Sequence, residues 1–197
     1  MVQKLFGSAM RWNLDLVIQF HNECNRLTGN QVFEINQELE LCKNTDREFD
    51  LIYAKNFYSK TFDRMLLANT FLMMYSFLEE FMYHVWNRFS NGVSIEQKKG
   101  SIKRFKNVFK QSLGIDLGKD ADWQFIVHCE KIRDCLLHAN GRIDLFKDGS
   151  DIRKIIASSN GLLESDLERI ILKREFIVKV NHVLNRFIGK IESKESI

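Results

Sequence analysis

Not one proline interrupts these 197 residues, and only 10 are glycine. Proline breaks helix interiors and glycine weakens them, and average usage would supply about ten prolines and a dozen or more glycines in this length. The chain is therefore expected to fold as helices almost throughout. Its 45% hydrophobic and 28% charged residues match globular averages, which excludes a disordered or fibrous chain and allows one sizeable core. The length suits a single domain, expected over residues 1–192 with 193–197 as a frayed tail. The longest uncharged stretch near the middle, Met65 to Leu78, runs 14 residues, short of the roughly 20 that a membrane span needs.

Arg11 and Asp15 interrupt any apolar run after Lys4, so the N-terminus does not read as a signal peptide. The four cysteines (Cys24, Cys42, Cys129, Cys135) are too few for a disulfide scaffold in a chain that builds its own core, and they are expected to be reduced thiols. Both points favour a cytoplasmic protein. A net charge of +3 permits a nucleic-acid partner without arguing for one, so that argument has to be local.

Periodicity places a helix over 12–27, stopped at Thr28-Gly29-Asn30, and a second to about Cys42. Phe49 to Phe89 contains neither Pro nor Gly and predicts one long helix or two nearly collinear ones, ended by Asn91-Gly92. Ser94-Ile-Glu-Gln97 has the form of a capping box opening a helix to about Ser112. Gly114 to Lys119 is a predicted loop, and Asp120 to Ala139 a helix with Phe125, Cys129, Ile132, Leu136 and Ala139 on one stripe, closed by Asn140-Gly141. A short helix fits between the turn signals at 148–150 and 158–161. Ile170 to Leu172 reads as briefly extended, and Arg174 to Ile191 as a final amphipathic helix. The predicted fold class is all-α, with at most a short extended segment near 169–172.

One segment departs from this regularity. In Glu130-Lys-Ile-Arg133-Asp134-Cys-Leu-Leu-His138-Ala-Asn140-Gly141, three polar residues leave the apolar stripe in the last turns of a helix. At 100° per residue Arg133 and His138 lie about 140° apart with Asp134 between them, and about 7.5 Å apart along the axis. A permanent guanidinium charge and an imidazole that titrates near neutrality form a minimal set for phosphodiester chemistry without a metal. The alternative is an ordinary helix end, where His138 meets the last carbonyls and Arg133 pairs with Glu130 at i−3.

At these residues the chain resembles the HEPN superfamily, all-α domains marked by Arg, a polar residue and a His at Arg-x4-6-His spacing. The layout is similar more weakly over residues 30–190, including an upstream aromatic helix with the acidic pair Glu79-Glu80. The resemblance implies a helical bundle that dimerises with its motifs facing each other, and metal-independent endoribonuclease activity in many members. His138 would then move the proton in 2′-hydroxyl attack, Arg133 would stabilise the phosphate, and Asp134 would orient its neighbours. The products would be a 2′,3′-cyclic phosphate and a 5′-hydroxyl. Asp134 stands where Asn is commonest, and either Glu79 or Glu80 would support Arg133. No cofactor or metal is implied. RNA and a second copy are the implied partners, with a protein antitoxin if the chain is a toxin or defence effector. Other members use the bundle only to bind RNA or a partner protein.

The run Gln97 to Lys110 carries Lys98, Lys99, Lys103, Arg104, Lys106 and Lys110 without an acid. On one helix Lys99, Lys103, Lys106 and Lys110 would share a stripe suited to an RNA backbone, with Arg104 beside it, or would form a solvated outer face. Phe105 and Phe109 read as core. His128, Cys135 and His138 share one side of the helix at spacings poor for zinc, and a Cys135–His138 nucleophile would need an activated thiolate and an orienting third group in a mid-helix position that leaves little room for substrate. His21, His84 and His182 stand singly, and Trp12, Trp86 and Trp123 read as core or interface.

Overall fold

A computed structural model of the chain describes residues 2–90 and 102–195. Among the described residues seven α-helices run in the order α1 (Val2–Leu41), α2 (Asp46–Asn56), α3 (Asp63–Phe89), α4 (Lys106–Ser112), α5 (Ala121–Ala139), α6 (Gly149–Ala157) and α7 (Arg174–Glu195). One antiparallel hairpin, β1 (Leu163–Asp166) and β2 (Arg169–Leu172), stands before α7. The all-α fold class is as the composition requires.

The uncharged stretch Met65 to Leu78 and the turns that follow it form the centre of the core. Phe71, Met74, Tyr75, Leu78, Phe81, Met82 and Val85 of α3 are buried, and α3 packs on α1, α5 and α7. From α7, Phe176, Val180, Leu184, Phe187 and Ile191 close the core, with Phe71 against Phe176 and Phe109 against Phe187. Each fully buried aromatic contributes roughly 1.5–3 kcal/mol relative to exposure. No described helix is long and apolar enough to cross a membrane.

Several boundaries correct the sequence reading. α1 does not stop at Thr28-Gly29-Asn30 but runs unbroken from Val2 to Leu41, 40 residues in all. A lone glycine costs only about 1 kcal/mol in a helix, and no proline follows to enforce the stop. α2 and α3 are joined by a π-helical segment, Phe57–Phe62, so the long predicted helix is one continuous helical path with a wider turn inside it. α7 passes the expected end of the domain at 192 and reaches Glu195, helped by an Arg11–Glu192 ion pair at 2.6 Å. The extended segment has a partner strand that the sequence reading missed. The hairpin turn puts Leu167 and Glu168 at φ 47° and 59°, where Asn or Gly is usual. The capping box at 94–97 lies outside the described residues.

A polar latch ties α1 to α3 inside this core. Thr70 Oγ1 donates to the Leu66 carbonyl at 2.8 Å, so it accepts from His21 Nδ1 at 2.9 Å. Nε2 is left to accept from Asn25 Nδ2 at 2.8 Å. That arrangement suits the neutral imidazole. Burial, then Arg174, lower the His21 pKa against an opposing pull from Asp63. A histidine depressed in the fold contributes stability that is present above its unfolded pKa near 6.5 and lost as pH falls through the folded value. Melting temperatures between about pH 7.5 and about pH 5.5 should therefore drop further for the wild type than for His21→Gln. Equal drops would show that His21 does not set this dependence.

Candidate functional site

The motif lies on α5, which Asp120 caps by accepting from the Trp123 amide at 2.9 Å. Its far end closes as Asn140-Gly141 predicts: both are left-handed, at φ 49° and 73°, and the Gly141 amide reaches back to the Cys135 carbonyl at 2.9 Å. The hairpin braces this end. Ile170 N donates to Gly141 O at 2.9 Å, Ile143 N to Glu168 O at 2.7 Å, and the Arg169 guanidinium to the Asn140 carbonyl.

Arg133 sits half-buried in the seam between α5 and α3. Its Nη2 donates to both oxygens of Glu79, at 3.0 and 3.2 Å, and its Nη1 to Asp134 Oδ1 at 2.8 Å. The guanidinium carbon stands 5.5 Å from the Tyr75 ring centroid. Burial works against the charge, but the Asp134 hydrogen bond and the Glu79 carboxylate outweigh it and hold the Arg133 pKa above its ordinary value. With Glu79 on Nη2 and Asp134 on Nη1, two carboxylates hold two corners of the guanidinium and so fix its plane. Of the two glutamates, then, Glu79 supports Arg133, while Glu80 turns outward toward His84 at 3.8 Å. Glu130 does not pair with Arg133 either: it is buried and accepts from the Ile102 amide at 3.0 Å. The i−3 pairing expected for an ordinary helix end is absent.

His138 is exposed on the last turn. Cys135, three residues earlier, points into the core, and burial pushes its thiol pKa up, which disfavours the thiolate that a nucleophile needs. Cys129 is fully buried and pushed up further. Among the described residues no cluster of three His, Cys, Asp or Glu could hold a metal ion.

Of the basic run, Lys99 lies outside the described residues. Lys103 and Arg104 belong to a 3₁₀ turn, Lys103–Phe105, rather than to the regular helix expected there. Lys103, Lys106 and Lys110 are exposed, and Lys110, Lys106 and Lys119 surround Asp116, lowering its pKa after the larger effect of the Gly118 amide. Arg104 stacks 4.7 Å from the Tyr83 centroid and donates to the Tyr83 hydroxyl. Because Tyr75, Glu79 and Tyr83 recur at every fourth position, Arg133 and Arg104 are held along one edge of α3, by successive turns. The sequence reading did not find this tyrosine edge; the i, i+4, i+8 spacing was its only available signal.

Fold and site together define an all-α bundle with an Arg-x4-His helix end. No protein-family model, curated protein or solved structure matches the chain.

Proposed function

We propose that this protein is a metal-independent endoribonuclease of the HEPN type, acting as a homodimer with Arg133 and His138 as its reactive pair. The observation that carries the reading is a half-buried guanidinium, oriented by Glu79 and resting over Tyr75, within one and a half turns of an exposed imidazole. His138 takes the proton of the 2′-hydroxyl, the 2′-oxygen forms a bond to phosphorus, and the bond to the 5′-oxygen breaks. The departing oxygen takes a proton from His138 of the second copy, leaving a 2′,3′-cyclic phosphate and a 5′-hydroxyl. Arg133 balances the charge that gathers on the phosphate oxygens. Glu79 is a positioning residue.

Asn69, Leu72, Met73, Ser76, Phe77 and Glu80 line an open groove on a different side of α3 from the Tyr75–Glu79 edge that holds Arg133. Lys103, Lys106 and Lys110 supply backbone contacts. A toxin or defence effector held in check by a protein antitoxin fits this activity, as does a cytoplasmic location.

Two carboxylates already engage Arg133 through Nη1 and Nη2, so a phosphate competes with them for its charge. Asp134 is the one that yields, because at 34% exposure against 21% for Glu79 it is the more readily rehydrated of the two. Asp134→Asn keeps an acceptor and removes a negative charge beside the phosphate. Filter binding in EDTA should show RNA held about fivefold tighter, the equivalent of ~1 kcal/mol. Weaker binding would mean that Asp134 orients the arginine instead.

The same double neutralisation favours a second reading, a non-catalytic helical module that binds RNA or a partner protein. End-labelled structured and unstructured RNA, incubated with the protein in excess EDTA, separates the two. Cleavage leaving 2′,3′-cyclic phosphate ends supports the enzyme; an intact RNA panel beside folded protein supports the module.

A further inference from the structure

α1 carries two apolar stripes where a peripheral helix needs one. Met10, Leu14, Val17 and His21 face the core. Trp12, Leu16, Phe20 and Leu27 are 65%, 43%, 56% and 54% exposed. At 100° per residue these four fall within about 80° of one another, centred about 130° around the helix from the buried set. Four large apolar side chains aligned over some four turns of an outer face mark an interaction surface rather than scattered exposure.

The charges beside the stripe identify what fits it. Asp15 and Arg26 lie on the same flank, within about 20° of each other and about 16 Å apart along the axis; Arg26 already holds Glu23 of its own helix, within the arc of the stripe, at 2.5 Å, so a facing Asp15 would share that guanidinium. A second α1 laid antiparallel, with its two-fold axis near Phe20, places residue i opposite residue 41 − i. Asp15 of each copy then faces Arg26 of the other, twice by symmetry. In this register Leu27 enters between Trp12 and Leu16 of the second copy, and the two Phe20 rings meet on the axis. A contact that satisfies charge and apolar surface under its own two-fold is isologous.

We infer that the outer face of α1 is a self-association surface whose occupant is a second copy of this chain, packed antiparallel through Trp12, Leu16, Phe20 and Leu27. Arg133 lies in the seam of α5 with α3, whereas α1 packs on α2, α3 and α7, so its outer face is separate from Arg133. The inference holds whether or not the chain cleaves RNA.

Sedimentation of the full chain tests it. Phe20→Glu should give a particle of half the wild-type mass with an unchanged helical spectrum, and Trp12 emission should shift to the red as its ring returns to water. Asp15→Arg places like charges opposite each other twice and should weaken association about tenfold, while Asp15→Arg with Arg26→Asp should restore it to within about threefold of wild type. A wild-type monomer at ~100 µM would overturn the proposal. So would an oligomer that ignores Phe20→Glu. If that oligomer came apart on changes beside Arg133, the association would belong to the motif face and the ribonuclease reading would stand untouched. Failure of the double charge swap to rescue would refute the antiparallel register.

Discussion

Alanine in place of His138 is expected to reduce RNA cleavage by about 10²–10⁴-fold, the usual worth of a positioned general acid–base group, while lowering stability by no more than ~0.3–1 kcal/mol. The two effects separate because His138 is exposed at the end of α5. It fills no cavity, so the fold loses only a helix-end interaction. Arg133→Ala should behave differently. Its removal strips the partner from Glu79 and Asp134, whose side chains are only 21% and 34% exposed, and leaving such groups uncompensated costs about 1–3 kcal/mol. Cleavage kinetics beside chemical denaturation therefore yield a diagnostic pair: a His variant that is inactive and stable, and an Arg variant that is inactive and destabilised. A His138→Ala protein that cleaves at the wild-type rate would remove this residue from the chemistry.

Helix content was legible because it follows from exclusion. Without proline, nothing prevents helix propagation, and the buried faces of α3 and α7 repeat at 3–4 residues as amphipathic packing requires. Boundaries were less legible where a weak signal met a strong context. Gly29 resembled a stop, yet a Cβ there would meet no neighbour within 4 Å, and nothing around it requires the special backbone that makes glycine end a helix. Asn140-Gly141 is the same signal with that requirement attached, since Arg169 and Ile170 dock on the turn. Sequence spacing alone does not distinguish the two cases. β1 was missed because Leu163-Glu-Ser-Asp166 carries one apolar residue and gains its pairing from β2.

The Arg133 environment was legible only in part, for a related reason. Adjacency along α5 brought Arg133 and Asp134 together on paper, but the choice between Glu79 and Glu80 depends on the rotation of α3 against α5. That rotation is fixed by the burial of Phe71, Leu78 and Met82, residues that say nothing about charge. Similarly, the buried face of α5 is broader than the expected stripe: Cys129 and Ile132 are buried as expected, Trp123, Ile126 and Cys135 are buried too, and Phe125 and Leu136 lie at its margin. The helix lies between α3, α7 and α6 and so uses a broader face than a single stripe.

The turn that follows the motif gives the second large expected effect. A Cβ added at Gly149 would collide with the backbone oxygen of Ile143, and a backbone atom cannot rotate aside as a side chain does. Ile143 is itself pinned: its side chain is 1% exposed, and its amide donates to Glu168 O at 2.7 Å. Gly149→Ala must therefore shift either the first turn of α6 or the tether between α5 and the hairpin, and should cost about 3 kcal/mol, toward the upper end for overpacking. Gly141→Ala is the comparison. There the nearest neighbours are side-chain atoms of Ile170 and Leu136 at 3.3 and 3.4 Å, and the main cost is the left-handed backbone, about 1–2 kcal/mol. Denaturant midpoints should thus fall in the order wild type, Gly141→Ala, Gly149→Ala. Because Ile143 and Gly141 anchor the end of α5 that presents His138, cleavage by the Gly149 variant should fall with the folded fraction as temperature rises. A Gly149→Ala protein as stable as wild type would show that α6 does not press on Ile143, and that the motif helix is braced by the hairpin alone.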